Sequence, residues 1–255
     1  MRLGCDQVRS ISISIYVTLI LLAGRVTGQQ SYFNVPSSDK TKVNTWFFQQ
    51  QTNFSAGEFT SNYTFDYGIN DKWEGGINVL QVNAIPKDGF RIIQNNKGVS
   101  DAFFPLVTAN AQRFWVLSKY SQVSVATVAG FDPVADDILK SGSVMLFSNY
   151  QFHSKFLKFT SGIWGGNNHF VGIGDRLPPF GSQFPLGFQI GGEIHLGHKQ
   201  SLVFDHISGN SPMAMSTIGF TKYFHRHWIF SLGAQIPNHQ HLKPNGIVIE
   251  FTRAL

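Results

Sequence analysis

The sequence predicts an all-β fold, a closed antiparallel up-and-down transmembrane β-barrel of about twelve strands. Three observations predict it. Segments of roughly 9–13 residues, long enough to cross a bilayer as tilted strands, alternate apolar and polar side chains along much of the 255-residue chain. Charged residues make up only 14% of it and aromatic residues another 14%, including 24 Phe, whereas a soluble domain carries roughly 25% charge. Short and long connections alternate between the segments, and aromatic residues collect beside the short ones.

The elements follow in chain order. Residues 1–28 read as a signal peptide: Arg2 and Arg9 precede the apolar run Ile11 to Ala23, and Val26-Thr27-Gly28 supplies small residues for cleavage. An apolar run of this length is too short for a spanning helix, which needs about 20 residues. Residues 29–42 are polar and read as an extended periplasmic leader, and 43–255 as the barrel. The twelve candidate strands are 43–55, 59–70, 73–85, 105–117, 120–130, 142–153, 157–167, 185–197, 200–208, 213–225, 228–237 and 246–254. Alternation is clearest in Leu186 to Leu196, where Leu186, Phe188, Ile190, Ile194 and Leu196 share one face and Gly187, Gln189, Gly191, Glu193 and His195 the other. Successive side chains of a strand point to opposite faces, so such segments are two-faced. Trp228 to Ile236 and Ile247 to Arg253 repeat the pattern.

Short turns are expected near Asn70 to Lys72, Ser118-Lys119, Ser154-Lys155, His198-Lys199 and Arg226. Longer loops are expected over 86–104, 131–141, 168–184 and 238–245. Barrels of this kind place short turns and both termini in the periplasm and long loops outside. Trp46, Trp73, Trp115, Tyr120, Phe152, Phe156, Tyr223 and Trp228 lie toward the short-turn end, with Phe224 beside them. Amphipathic rings favour the membrane interface, so this set reads as an aromatic girdle. The polar faces carry Gly, Ser, Thr, Asn and Gln rather than Lys and Glu, which suits a lumen better than a soluble surface. In that phase Asp66, Gln189, Glu193, Asp205, Gln235 and Glu250 are expected to line the lumen.

The formal charge is +5, without a Lys/Arg block, so nothing points to nucleic acid. The only cysteine, Cys5, falls in the expected signal, which leaves the mature chain without a thiol for disulfides, metal or nucleophilic chemistry. No cofactor is implied.

The signal, Tyr63-Thr-Phe-Asp-Tyr-Gly68, Asp205-His-Ile-Ser-Gly-Asn210 and Gly233-Ala-Gln-Ile-Pro-Asn238 resemble the porin-like outer-membrane β-barrel proteins of Gram-negative bacteria. The likeness is one of pattern over nearly the whole mature chain. It implies a barrel in the cell outer membrane, surrounded by outer-membrane lipids, inserted by the barrel-insertion machinery, and passing an unidentified small solute. The chain departs from such proteins at its end: Leu255 stands where they carry an aromatic residue.

One constellation suggests chemistry instead. His206 and Ser208 stand two apart on a strand and so share a face, and a His can activate a Ser for acyl transfer. A similar His-x-Ser occurs in outer-membrane phospholipase A and lipid A deacylase barrels, so an acyl hydrolase is one alternative to a passive channel, and a structural or adhesive barrel is another. The enzyme alternative lacks a third member on the following strand, where Phe220 stands. His225, His227, His239 and His241 carry no carboxylate motif and read as surface histidines. Gly172-Ile-Gly174 lies in a loop and is no nucleotide motif. Asp132 to Leu139 reads as a short capped helix, and the glycosylation-like triplets at Asn53 and Asn62 fall in strands.

Overall fold

The computed structural model describes residues 31–86, 91–93, 106–133, 141–171, 185–224, 228–240 and 243–254. The signal segment, Gly172 to Gly174, His225, His227, His241 and most of the expected helix after Asp132 lie outside the described residues.

Twelve strands build the wall: β1 (Trp46–Ser55), β2 (Glu58–Gly68), β3 (Trp73–Ile85), β5 (Leu106–Ser118), β6 (Ser121–Phe131), β7 (Ser143–His153), β8 (Leu157–Gly166), β9 (Leu186–Gly197), β10 (Gln200–Ile207), β11 (Met215–Phe224), β12 (Trp228–Pro237) and β13 (Gly246–Ala254). A short β4 (Arg91–Ile93) extends the upper end of β3. Each neighbour in sequence pairs antiparallel with the next, and β1 pairs with β13 from Phe47↔Ala254 to Ser55↔Gly246, which closes the cylinder. Closure leaves no strand edge in hydrocarbon, where each unpaired backbone group would cost several kcal/mol. The expected strands end within three residues of the observed ones, because the alternation that marks them is the geometry of the wall itself.

Turn chemistry sets the register at both ends. The β1–β2 hairpin turns on Ala56 (φ 52°) and Gly57 (φ 82°), the paired positive φ values that match strand twist. At the opposite end His198 (φ 49°) and Lys199 (φ 60°) make an equally tight β9–β10 turn. A single helical turn, α1 (Asn168–Val171), starts the β8–β9 loop. The Asn167 side chain caps it, accepting from the Phe170 N–H at 3.1 Å, and Phe170 and Val171 are buried.

The two faces separate cleanly. Ile77, Ile163, Ile218, Phe220, Leu232 and Ile247 point outward and are each 46–67% exposed, the apolar band a lipid-facing barrel requires. Gln49, Gln51, Asn78, Gln112, Asn149, Gln151, Gln189 and Gln235 are buried on the inner face. Trp46, Trp73, Trp115, Tyr120, Phe152 and Phe156 are 37–67% exposed toward the short-turn end, and Trp228 shares its outward phase with Phe230 and Leu232. Tyr223 corrects the expected girdle. It lies in the inward phase of β11, its hydroxyl donates to Glu193, and its neighbour Phe224 faces out, 51% exposed.

Candidate functional site

Residues 31–42 do not form a leader outside the barrel. They run inside it, and this corrects the expectation drawn for 29–42. Asn44, in the left-handed region at φ 58°, turns the chain at the rim. There its N–H donates to the Gly68 carbonyl at 2.8 Å, and the Gly68 N–H donates to Thr45 at 3.1 Å. Preceding residues pass up the lumen and fold back at an isolated bridge between Ser31 and Pro36. The physical reason is composition. From Gln29 to Ser38 the segment has no charge, and it carries Tyr32, Phe33 and Val35. These three side chains are buried at 0–3% exposure against Val203, Ile207 and Val248. Glycines on the inner wall make the room. A Cβ on Gly191 would lie 2.3 Å from the Tyr32 ring, and one on Gly233 2.9 Å from the Phe33 ring.

A buried loop must satisfy its backbone polar groups, and here the barrel's inner side chains do so. One oxygen of Asp205 accepts the N–H groups of Phe33 (2.9 Å), Asn34 and Val35 (3.0 Å). Three successive N–H groups converging on one carboxylate make a backbone nest. Gln51 donates to the Phe33 carbonyl, and Asn149 to the Pro36 carbonyl at 2.8 Å. The Ser38 N–H donates to Gln151 at 2.7 Å and the Thr41 N–H to Glu74 at 2.7 Å. Lys158 bridges loop and wall, 2.7 Å from Asp39 and 3.3 Å from Glu193, with the Tyr32 ring 5.0 Å away. Tyr32 and Thr160 share a hydrogen bond of 2.8 Å.

The loop does not fill the barrel. Between it and the wall from β1 to β7 remains a cavity of about 660 Å³. Its lining mixes amides, Gln49, Gln51, Asn53, Asn62, Asn78 and Asn110, with apolar side chains, Leu80, Val128, Met145, Phe147 and Met213. It reaches from the β1–β2 hairpin at Glu58 to Glu74 beside the short-turn end, and Ser31, Phe33, Asn34 and Pro36 of the loop form part of its surface. Asp66 and Glu58 also line it, with Lys243 at the long-loop mouth. Burial pushes the Lys243 ammonium down to about 8. Within the wall, Asn53 keeps a buried side-chain oxygen without a hydrogen-bond partner among the described residues.

Asp66, Gln189, Glu193, Asp205, Gln235 and Glu250 all have buried side chains on the inner wall. Asp205 and Glu193 meet the N-terminal loop or its salt-bridge partner, and Asp66 lines the cavity. Sequence reasoning did not find Lys158, Gln51, Gln151 and Asn149 as the loop's binding partners. The signal available was an inward-phase lysine among amides, opposite an uncharged aromatic stretch. Asn53 and Asn62 face inward, away from any modifying enzyme. His239 Nε2 pairs with Asn210 at 2.8 Å.

The His206 and Ser208 side chains bond to different partners. His206 Nδ1 lies 2.9 Å from the Ser216 hydroxyl on β11, its direct cross-strand neighbour. Ser208 Oγ accepts the Phe188 N–H at 2.8 Å.

A solved porin, NanC, superposes on this architecture with a TM-score of 0.52, covering 82% of this chain and all of its own at 7% identity. The chain has the fold of the outer-membrane β-barrels. Two further barrels align more loosely. A CymD monoaromatic hydrocarbon channel gives a TM-score of 0.42 at 9% identity, over 84% of this chain and 89% of its own. Outer membrane phospholipase A from Escherichia coli gives 0.45 at 10% identity, over 84% and 93%. No protein-family model and no curated protein matches the sequence. At these identities the likeness is one of fold, and function rests on the lumen of this outer-membrane-type barrel.

Proposed function

We propose that this barrel is a passive channel for small polar solutes in the outer membrane of a Gram-negative bacterium, exported through a cleaved signal peptide and narrowed from within by residues 31–42. The cavity carries the reading: about 660 Å³ of amide-lined space runs beside the loop from the long-loop mouth to Glu74. Asn and Gln side chains both donate and accept, so they replace the hydration of a neutral polar solute without trapping it by charge. The carboxylates of Glu58 and Asp66, against Lys243 as the ammonium among the described lining residues, favour cations over anions of equal size. No covalent step is needed. The separate partners of His206 and Ser208 support transport over acyl transfer.

Purified protein in planar bilayers tests the reading. Discrete conductance steps are expected, with a salt-gradient reversal potential of cation-selective sign. A barrel that stays electrically silent, both intact and with residues 31–39 deleted, would leave only a structural or adhesive role.

A further inference from the structure

At the short-turn end, the described outward-facing charges of the barrel wall are mostly cationic. Among the barrel strands, the carboxylates of Asp66, Glu74, Glu193, Asp205 and Glu250 are all buried inside. Near the short turns the outward cations include Arg113, Lys119, Lys155, Lys199 and Lys222, and none of these five makes an ion pair among the described residues. At the same rim Asp71 lies 3.7 Å from Lys40.

Arg113 sits in a formed cleft. It is the cross-strand partner of Trp73 and shares its face with Trp115, two residues along β5. Its guanidinium carbon lies 5.4 Å from the Trp73 ring and 4.8 Å from the Trp115 ring, with both indoles 38–39% exposed. Its Nε is buried without a hydrogen-bond partner among the described residues. Next to it on the rim, Lys119 lies over Tyr120 at 4.7 Å, and further round Lys155 lies over Phe156 at 5.5 Å. Indoles and phenols seat at headgroup depth, so these cations are held at the level of lipid phosphates. A flat guanidinium fixed by two rings and lacking a carboxylate offers paired N–H donors to a phosphate.

We infer that the Trp73–Arg113–Trp115 cleft binds the phosphate of an anionic phospholipid from the leaflet at the short-turn end, and that the neighbouring lysines select anionic over zwitterionic headgroups. The occupant is a lipid and not a free anion because the indoles flank the site with apolar surface continuous with the acyl-chain region.

Native mass spectrometry of the detergent-purified full chain, with equal amounts of dioleoyl phosphatidylglycerol and dioleoyl phosphatidylcholine added, tests this. Phosphatidylglycerol adducts should survive at collision energies that strip phosphatidylcholine. Arg113→Gln should weaken the first phosphatidylglycerol adduct about fivefold, the factor expected for one interfacial cation. Lys119→Gln and Lys155→Gln lie in turns that the strand ladder does not need, and each should give a smaller loss even where the Arg113 variant folds poorly. A millimolar excess of inorganic phosphate should not displace the lipid. Equal retention of the two lipids, unchanged retention in all three variants, or displacement by inorganic phosphate would each overturn the inference.

Discussion

The clearest perturbation is Asp205→Asn. The carboxylate oxygen that accepts the N–H groups of Phe33, Asn34 and Val35 belongs to a residue only 2% exposed, so water does not compete for it. Its second oxygen takes the Asn34 side-chain amide at 3.3 Å. Hydrogen bonds to a charged acceptor contribute about 1.5–3 kcal/mol each and neutral ones about 0.5–1.5. Three bonds that share one oxygen do not add fully, so neutralising it should weaken the hold on the loop by about 2–3 kcal/mol. An asparagine amide turned to keep its oxygen on the nest would also point its NH2 group at the Asn34 donor. Every 1.4 kcal/mol is tenfold, so the undocked population should rise by about 30- to 140-fold. Single-channel recording reads this as openings above the wild-type level, with the 31–39 deletion setting the ceiling. A cysteine at Asn34, in a chain whose one other cysteine, Cys5, is replaced by Ser, should react with an impermeant reagent faster in the Asp205→Asn background. If the Asp205→Asn variant and the deletion both conduct as wild type does, and labelling of the cysteine is unchanged, the nest does not hold the loop in the solute path.

Three other outcomes are expected. Gly191→Ala would place a methyl 2.3 Å from the Tyr32 ring and should cost about 1–3 kcal/mol in overpacking. It should lower the thermal midpoint in detergent and reproduce the enlarged openings without touching the carboxylate. The Lys243 ammonium, pushed down to about 8 by burial, is charged below that pH and neutral above it. Reversal-potential measurements should therefore show cation preference rising between pH 7 and pH 9, and Lys243→Gln should raise the preference at pH 7 and shrink the rise. Ser208→Ala should leave the acyl composition of co-purified lipid unchanged in thin-layer analysis; loss of a fatty-acid-releasing activity in that variant would revive the hydrolase reading.

The strands were legible because a membrane barrel writes its geometry into sequence at period two. The alternation of Ile190, Ile194 and Leu196 with Gln189, Glu193 and His195 marks a two-faced strand, and the scarcity of charge across the chain's polar faces assigns the apolar face to lipid and the polar face to an enclosed interior, so fold class, strand limits and the inward placement of Asp205 and Glu193 follow from pattern and composition. The contents of that interior do not. Tyr32, Phe33 and Val35 belong to no strand, and their burial depends on Gly191, Gly233 and Asp205, which stand 159 to 200 residues away in sequence and come together only when β1 meets β13. The partner of His206 was hidden for the same reason: register, set by the whole wall, puts Ser216 opposite it, not Phe220. A period of two reports the direction in which a side chain points, whereas what it touches across an enclosed space is decided by closure.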